Sequence, residues 1–123
     1  MGDRMCFETI RMRDVYKYIG KANVLIVDLR EEKEYIQSHI PGAWNLVYDE
    51  EEETKEFIKR IETLITQQEQ RQNRQIEKLV LYCDRGNTSM LAARDLYREG
   101  IHVVNLYGGY RVYRGMYTKG AKP

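Results

Sequence analysis

Apolar and polar positions fall in blocks along this chain. Val24 to Val27 is an unbroken apolar run rich in β-branched residues, and Leu79 to Tyr82 repeats the arrangement. Each predicts a strand buried on both faces, because successive side chains point to opposite sides and both sides are apolar here. Between the two runs, Phe57, Ile58, Ile61, Leu64 and Ile65 recur at the spacing of one helix face. The acidic run Glu50 to Glu53 is placed as the first turn of that helix, where the positive end of the helix dipole favours carboxylates. Gln67 to Gln75 is almost wholly polar and either continues the helix on a solvent face or forms a loop. Ser89 to Glu99 predicts a further helix through Ala92, Ala93, Leu96 and Tyr97, ended by Gly100. His102 to Leu106 follows as a strand. Near the start, Glu8 to Arg11 reads as a short edge strand and Asp14 to Ile19 as a short helix stopped by Gly20.

Strands alternating with helices imply right-handed crossovers and an open, mainly parallel sheet flanked by helices, the α/β class. A chain of 123 residues is near the commonest domain size, and no repeat or linker divides it, so residues 1–123 are expected to form a single domain. The 20 Lys and Arg balance 19 Asp and Glu, leaving no global field to gather nucleic acid or anionic membrane. Any charge selectivity must be local. Tyr107, Tyr110, Tyr113 and Tyr117 interleave with Arg111 and Arg114, a pattern that suggests base stacking, but the balanced charge favours a C-terminal helix packing its rings on the sheet.

No apolar run approaches the length that spans a bilayer, and Met1 to Cys6 lacks the apolar core of an export signal. The expectation is a cytoplasmic protein, with neither nucleic acid nor membrane as a partner. Cys6 and Cys83 are too few for a disulfide scaffold, and neither has a nearby Cys or His with which to hold a metal. No metal and no other cofactor is expected.

In an open sheet, ligands gather beyond the carboxyl ends of the strands. Cys83 stands at that place, ending the strand Leu79 to Tyr82 and opening the loop Asp84, Arg85, Gly86, Asn87, Thr88, with Ser89 leading into a helix. Such a loop can turn its N–H groups toward one point, and the helix dipole adds partial positive charge there. A cysteine sulfur in that cradle favours its thiolate form, which is the nucleophile. The expected picture is an exposed, ionised Cys83 within a ring of peptide amides. Gly86 suits a tight loop, and Thr88 and Ser89 are the N-cap candidates. Cys6, in a terminus without partner groups, is not expected to react.

These residues resemble the rhodanese homology domain, over most of the chain from about Val24 to Tyr113. The first signature is a strand ending in an acid, a spacer and an arginine, here Val27, Asp28, Leu29, Arg30. The second is His39, Ile40, Pro41, Gly42, Ala43, completed by Trp44 and Asn45. The third is the loop CDRGNT beginning at Cys83, and the fourth is the pair Gly108 and Gly109, with Tyr113 where the family usually shows tryptophan. The resemblance implies five mainly parallel strands between helices. It also implies a sulfurtransferase in which Cys83 takes the outer sulfur of a donor such as thiosulfate or a persulfide and passes it to cyanide or a thiol, including a protein thiol. The amides from Arg85 through Ser89 would hold the terminal sulfur of the Cys83 persulfide.

Asp84 departs from the pattern, since thiosulfate-using relatives often carry a basic residue directly after the cysteine; a persulfide or polysulfide is then the better donor. Asp28 and Arg30 either orient the site or pair with each other and tie the loop down. His39, before a Pro-Gly turn, reads as a turn-fixing hydrogen bonder rather than a proton shuttle, and Trp44 as a core residue. Gly108 and Gly109 permit a tight turn beside the active loop. Two other functions compete. Cell-cycle phosphatases and arsenate reductases of related architecture need an arginine where this chain has Ser89, and their loop is longer by one residue; without that bidentate clamp phosphoryl chemistry is disfavoured. A non-enzymatic rhodanese module that only binds partner proteins commonly lacks the cysteine that this chain keeps.

Overall fold

The computed structural model describes residues 7–123. Five strands form one sheet: β1 (Glu8–Arg11), β2 (Val24–Asp28), β3 (Trp44–Asn45), β4 (Lys78–Tyr82) and β5 (Val103–Tyr107), in the order β1-β5-β4-β2-β3. Every pairing is parallel, with Leu81 opposite Val27 on one side and Asn105 on the other. All five carboxyl ends therefore open on one edge of the sheet, with β4 between β5 and β2.

Period-two alternation sorts the strand side chains cleanly. Leu25, Val27, Leu79, Leu81 and Val103 face one side, where they meet Phe57, Ile58 and Ile61 of helix α2 (Thr54–Gln72) and Ala92, Ala93 and Leu96 of helix α3 (Asn87–Arg98). Ile26, Val80, Tyr82, Val104 and Leu106 face the other side. That face is covered by shorter pieces: the 3₁₀ turn Met12–Lys17, the segment Ile40 to Ala43, and the rings of Tyr110 and Tyr113. Helix α1 (Glu32–Gln37) starts beyond β2 through a capping box between Glu31 and Glu34.

Several local expectations are corrected. The acidic run precedes α2, with Glu53 at its N-cap, because the Asp49 carboxylate accepts from the Glu51 N–H and turns the chain there. Of the two readings of the polar stretch the helical one is found: it continues α2 to Gln72 before Asn73 turns left-handed. Tyr97 lies at the margin of its helix face, exposed, with its ring against Phe7. No C-terminal helix forms: the tyrosine-arginine segment makes only the 3₁₀ turn Tyr110–Val112, whose first N–H groups bond to the loop after β4. Tyr110 and Tyr113 pack on the core, but Tyr107 and Tyr117 are exposed. No helix among the described residues is long and apolar enough to cross a membrane.

Candidate active site

Cys83 follows β4 directly, and the loop to α3 folds back over it. The N–H of Gly86 donates to Cys83 Sγ at 3.0 Å and that of Ser89 at 3.3 Å. Ser89 Oγ lies 3.5 Å from the sulfur and donates to the Gly86 carbonyl at 3.2 Å. The ring of amides expected around position 83 is thus represented by two direct contacts. The expected exposure is not found: Cys83 is 5% exposed and its side chain adjoins Leu81, Ala92 and their neighbours. An amide cradle requires backbone to wrap the sulfur, and the wrapping covers it. Cys6 lies outside the described residues.

The helix also begins earlier than its hydroxyl residues suggest. Gly86 is the N-cap, with φ +97°, and α3 starts at Asn87, so neither Thr88 nor Ser89 caps it. A left-handed residue at 86 turns the chain tightly enough to bring the Ser89 amide under the sulfur. The N–H groups of Asn87 and Thr88 belong to the first helical turn, which has no intrahelical acceptors for them. Asp84 and Arg85 point outward, with Arg85 Nε 3.8 Å from Asp84 Oδ2 and both side chains half exposed or more.

The turn after β5 locks this loop from the side. Tyr110 N–H donates to Cys83 O at 2.8 Å and Arg111 N–H to Asp84 O at 3.2 Å. Gly108 and Gly109 have φ of +91° and +76°, and a Cβ on Gly109 would lie 2.1 Å from Asp84 O. A Cβ on Gly86 would lie 2.9 Å from Gly108 N. The glycine pair is therefore required by close approach as well as by conformation.

Asp28 and Arg30 pair with each other. Arg30 Nε donates to Asp28 Oδ1 at 3.0 Å, Nη2 to Oδ2 at 2.7 Å, and the Arg30 backbone N–H to Oδ1 at 2.9 Å. Burial works against the Arg30 charge, but the hydrogen bonds and charge of Asp28 outweigh it and hold the guanidinium above its ordinary range. Arg30 also donates to Ser38 O at 2.6 Å and lies 4.1 Å from the Tyr110 ring centroid. Tyr110 in turn donates from its hydroxyl to Ser38 Oγ at 2.9 Å and stacks on Tyr82. The pair ties its own loop down, as one of the two sequence readings has it, and Tyr110 packs between that loop and the backbone of Cys83. Burial, reinforced by Asp28, pushes the Tyr82 hydroxyl well up from its ordinary range.

Sequence reasoning gives Tyr110 only a ring packed on the sheet; for its link to the Cys83 loop the sole signal is its place directly after the glycine pair. His39 is fully buried, stacked on Tyr35, with Nδ1 2.8 Å from Tyr35 O and Nε2 3.0 Å from Lys122 O. It fastens the C-terminal segment, as its backbone bonds to Thr118 also do. Trp44 is half-buried under Arg71 rather than enclosed in the core.

A parallel five-stranded sheet with a cysteine loop between β4 and α3 defines an α/β protein with a backbone-lined cysteine at the carboxyl end of a central strand. The Rhodanese-like domain family model matches residues 12–115, and the chain belongs to that family. The thiosulfate sulfurtransferase from Pseudomonas aeruginosa superposes with a TM-score of 0.71 at 19% identity, over 94% of this chain and 20% of that one. A rhodanese-related protein from Thermoplasma volcanium gives 0.63 at 22% identity, covering 88% and 96%. A rhodanese from E. coli, solved with anions, gives 0.57 at 28% identity, covering 79% and 99%.

Proposed function

We propose that this protein is a sulfurtransferase, acting as one domain in a reducing, cytoplasmic setting, with Cys83 as the sulfur carrier. The observation that carries this reading is the pair of N–H groups, Gly86 and Ser89, aimed at one cysteine sulfur. Dipoles fixed around an atom stabilise negative charge on it without reorganisation. The Cys83 thiolate attacks the outer sulfur of the donor. A new S–S bond forms, and the donor leaves with the electron pair of its broken bond, as sulfite from thiosulfate or as a thiolate from a persulfide.

In the second half-reaction an acceptor thiolate or cyanide attacks the outer sulfur of the Cys83 persulfide, and the Cys83 thiolate returns. Sulfur changes carriers and no external oxidant is needed. The amides of Asn87 and Thr88, with those of Arg85, Gly86 and Ser89, form the persulfide-binding loop. Asp28 and Arg30 support it through Tyr110. Ser89 stands where a phosphatase of related architecture needs a guanidinium fork, which weighs against phosphoryl transfer.

Formation of thiocyanate from cyanide with either thiosulfate or a persulfide tests the reading. Activity with at least one donor, abolished by Cys83→Ser, supports it. Thiocyanate from neither donor leaves a protein-binding module instead.

A further inference from the structure

We propose that the mouth of the Cys83 loop is a docking surface for an acidic polypeptide that presents a cysteine as the sulfur acceptor. The proposal rests on the sulfurtransferase reading and deepens it by naming the acceptor. The turn after β5 forms one wall of the mouth, because its two glycines touch the loop backbone directly. Arg111 and Arg114 are exposed on that wall. Arg114 Nη1 donates to the carbonyls of Arg111 and Tyr113 at 3.1 and 3.0 Å, which folds its guanidinium back onto the turn. Arg11, at the end of β1, adds a third cation by donating to Tyr107 Oη at 3.1 Å, just before the glycine pair.

None of these three arginines has a carboxylate within ion-pair distance among the described residues. The acid of the loop, Asp84, is set against Arg85, so it does not compensate them. The chain as a whole carries a net charge of only +1, so attraction of an acidic partner depends on local groupings of cations such as this one. Guanidinium groups are weakly hydrated and bind carboxylates bidentately, which suits them to protein interfaces.

A small dianionic donor would account for cations on this turn, but not for the exposed apolar groups on the same elements. Met90, next to the residue whose amide touches Cys83, is 48% exposed, and Val112, packed over Gly108, is 47% exposed. Apolar side chains interleaved with unpaired arginines fit a polypeptide that brings both carboxylates and apolar surface.

The test uses short peptides that are acidic, basic or neutral around one cysteine. Transfer from the persulfidated protein to the acidic peptide is expected about tenfold faster than to the basic one at low ionic strength, with the gap closing as salt is added. Arg111→Glu with Arg114→Glu reverses the preference, read as the ratio of acidic-peptide to basic-peptide transfer so that any general change in rate cancels. Fluorescent versions with serine in place of cysteine report docking by anisotropy whether or not Cys83 takes sulfur; a failure of sulfur loading thus overturns the sulfurtransferase reading and the acceptor role with it, whereas loading without selective docking overturns the acidic docking surface alone. Equal rates and equal binding for acidic and basic peptides would overturn it. So would a charge-reversed pair that slows loading from thiosulfate but leaves the peptide preference intact, since the rim would then serve the donor.

Discussion

The backbone N–H of Tyr110 donates to the carbonyl of Cys83 at 2.8 Å, so the turn after β5 holds the residue that opens the loop after β4. The two strands are neighbours in the sheet, and this bond extends their pairing past the strand ends into the site. Close approach is possible only because Gly108 and Gly109 carry no side chains.

Gly109→Ala should therefore be among the most damaging single-methyl additions in the chain. The new Cβ would meet Asp84 O at 2.1 Å, and φ of +76° disfavours any side chain there; the expected loss is about 3 kcal/mol from strain and overpacking together. Gly20→Ala is the control, since its φ is +80° but nothing lies within 4 Å, and about 1 kcal/mol is expected from conformation alone. Denaturant unfolding of both variants checks the difference. Equal losses would show that contact with the loop contributes nothing.

Alkaline pH should unfold the protein partly through Tyr35. Its side chain is buried and donates to Ala43 O at 2.5 Å. Burial, with a smaller push from Asp28, raises its hydroxyl from 10.0 to about 12. A raised folded-state value means the unfolded chain loses this proton first. The stabilisation is then complete below pH 10.0 and falls as pH rises toward about 12. Tyr35→Phe should be less stable at neutral pH by about 1 kcal/mol for the lost hydrogen bond, yet show a shallower decline over that window. Unfolding curves at several alkaline pH values measure the slope, and an unchanged slope would contradict the assignment.

Asn105 lies in the middle of β5, fully buried, and neither its amide oxygen nor its nitrogen has a partner among the described residues. A buried amide without bonds is costly, and replacing it by an apolar group of similar shape removes that cost. Asn105→Leu should stabilise the protein by about 1 kcal/mol, read as a higher denaturant midpoint at constant m-value. A loss of stability would mean that the amide has a role in holding β5 against α3.

Asp84 offsets Arg85 at the loop, so the loop side chains offer a dianionic donor no net attraction. A persulfide donor should give the higher catalytic efficiency. Asp84→Lys should raise efficiency with thiosulfate by about tenfold, the low end of electrostatic steering effects, and change the persulfide reaction less. Steady-state comparison of the two donors tests this, and thiosulfate preference in the unaltered protein would contradict it.

Much of this architecture is legible in local pattern. The runs at Val24 and Leu79 are buried on both faces, so their apolar continuity marks strands without tertiary information, and the position of Cys83 at a strand end marks the site. What the pattern hides is set by distant parts of the chain. Nothing near Tyr110 shows that its N–H will meet Cys83 O, and nothing near His39 shows that Lys122 O will face its ring. The helix start at Asn87 was equally hidden, since hydroxyl residues at 88 and 89 signal caps, whereas the turn is made by glycine conformation at 86. The burial of Cys83 follows from the same fold-back: a cradle read as open from the sequence closes once its own backbone lies over the sulfur.

Intact-protein mass spectrometry after incubation with a persulfide donor, followed by peptide mapping, tests the central claim most directly. The expected result is a gain of one sulfur, mapped to Cys83, absent in Cys83→Ser and reversed by adding a thiol acceptor. No added sulfur, or sulfur that persists in Cys83→Ser, would contradict the account.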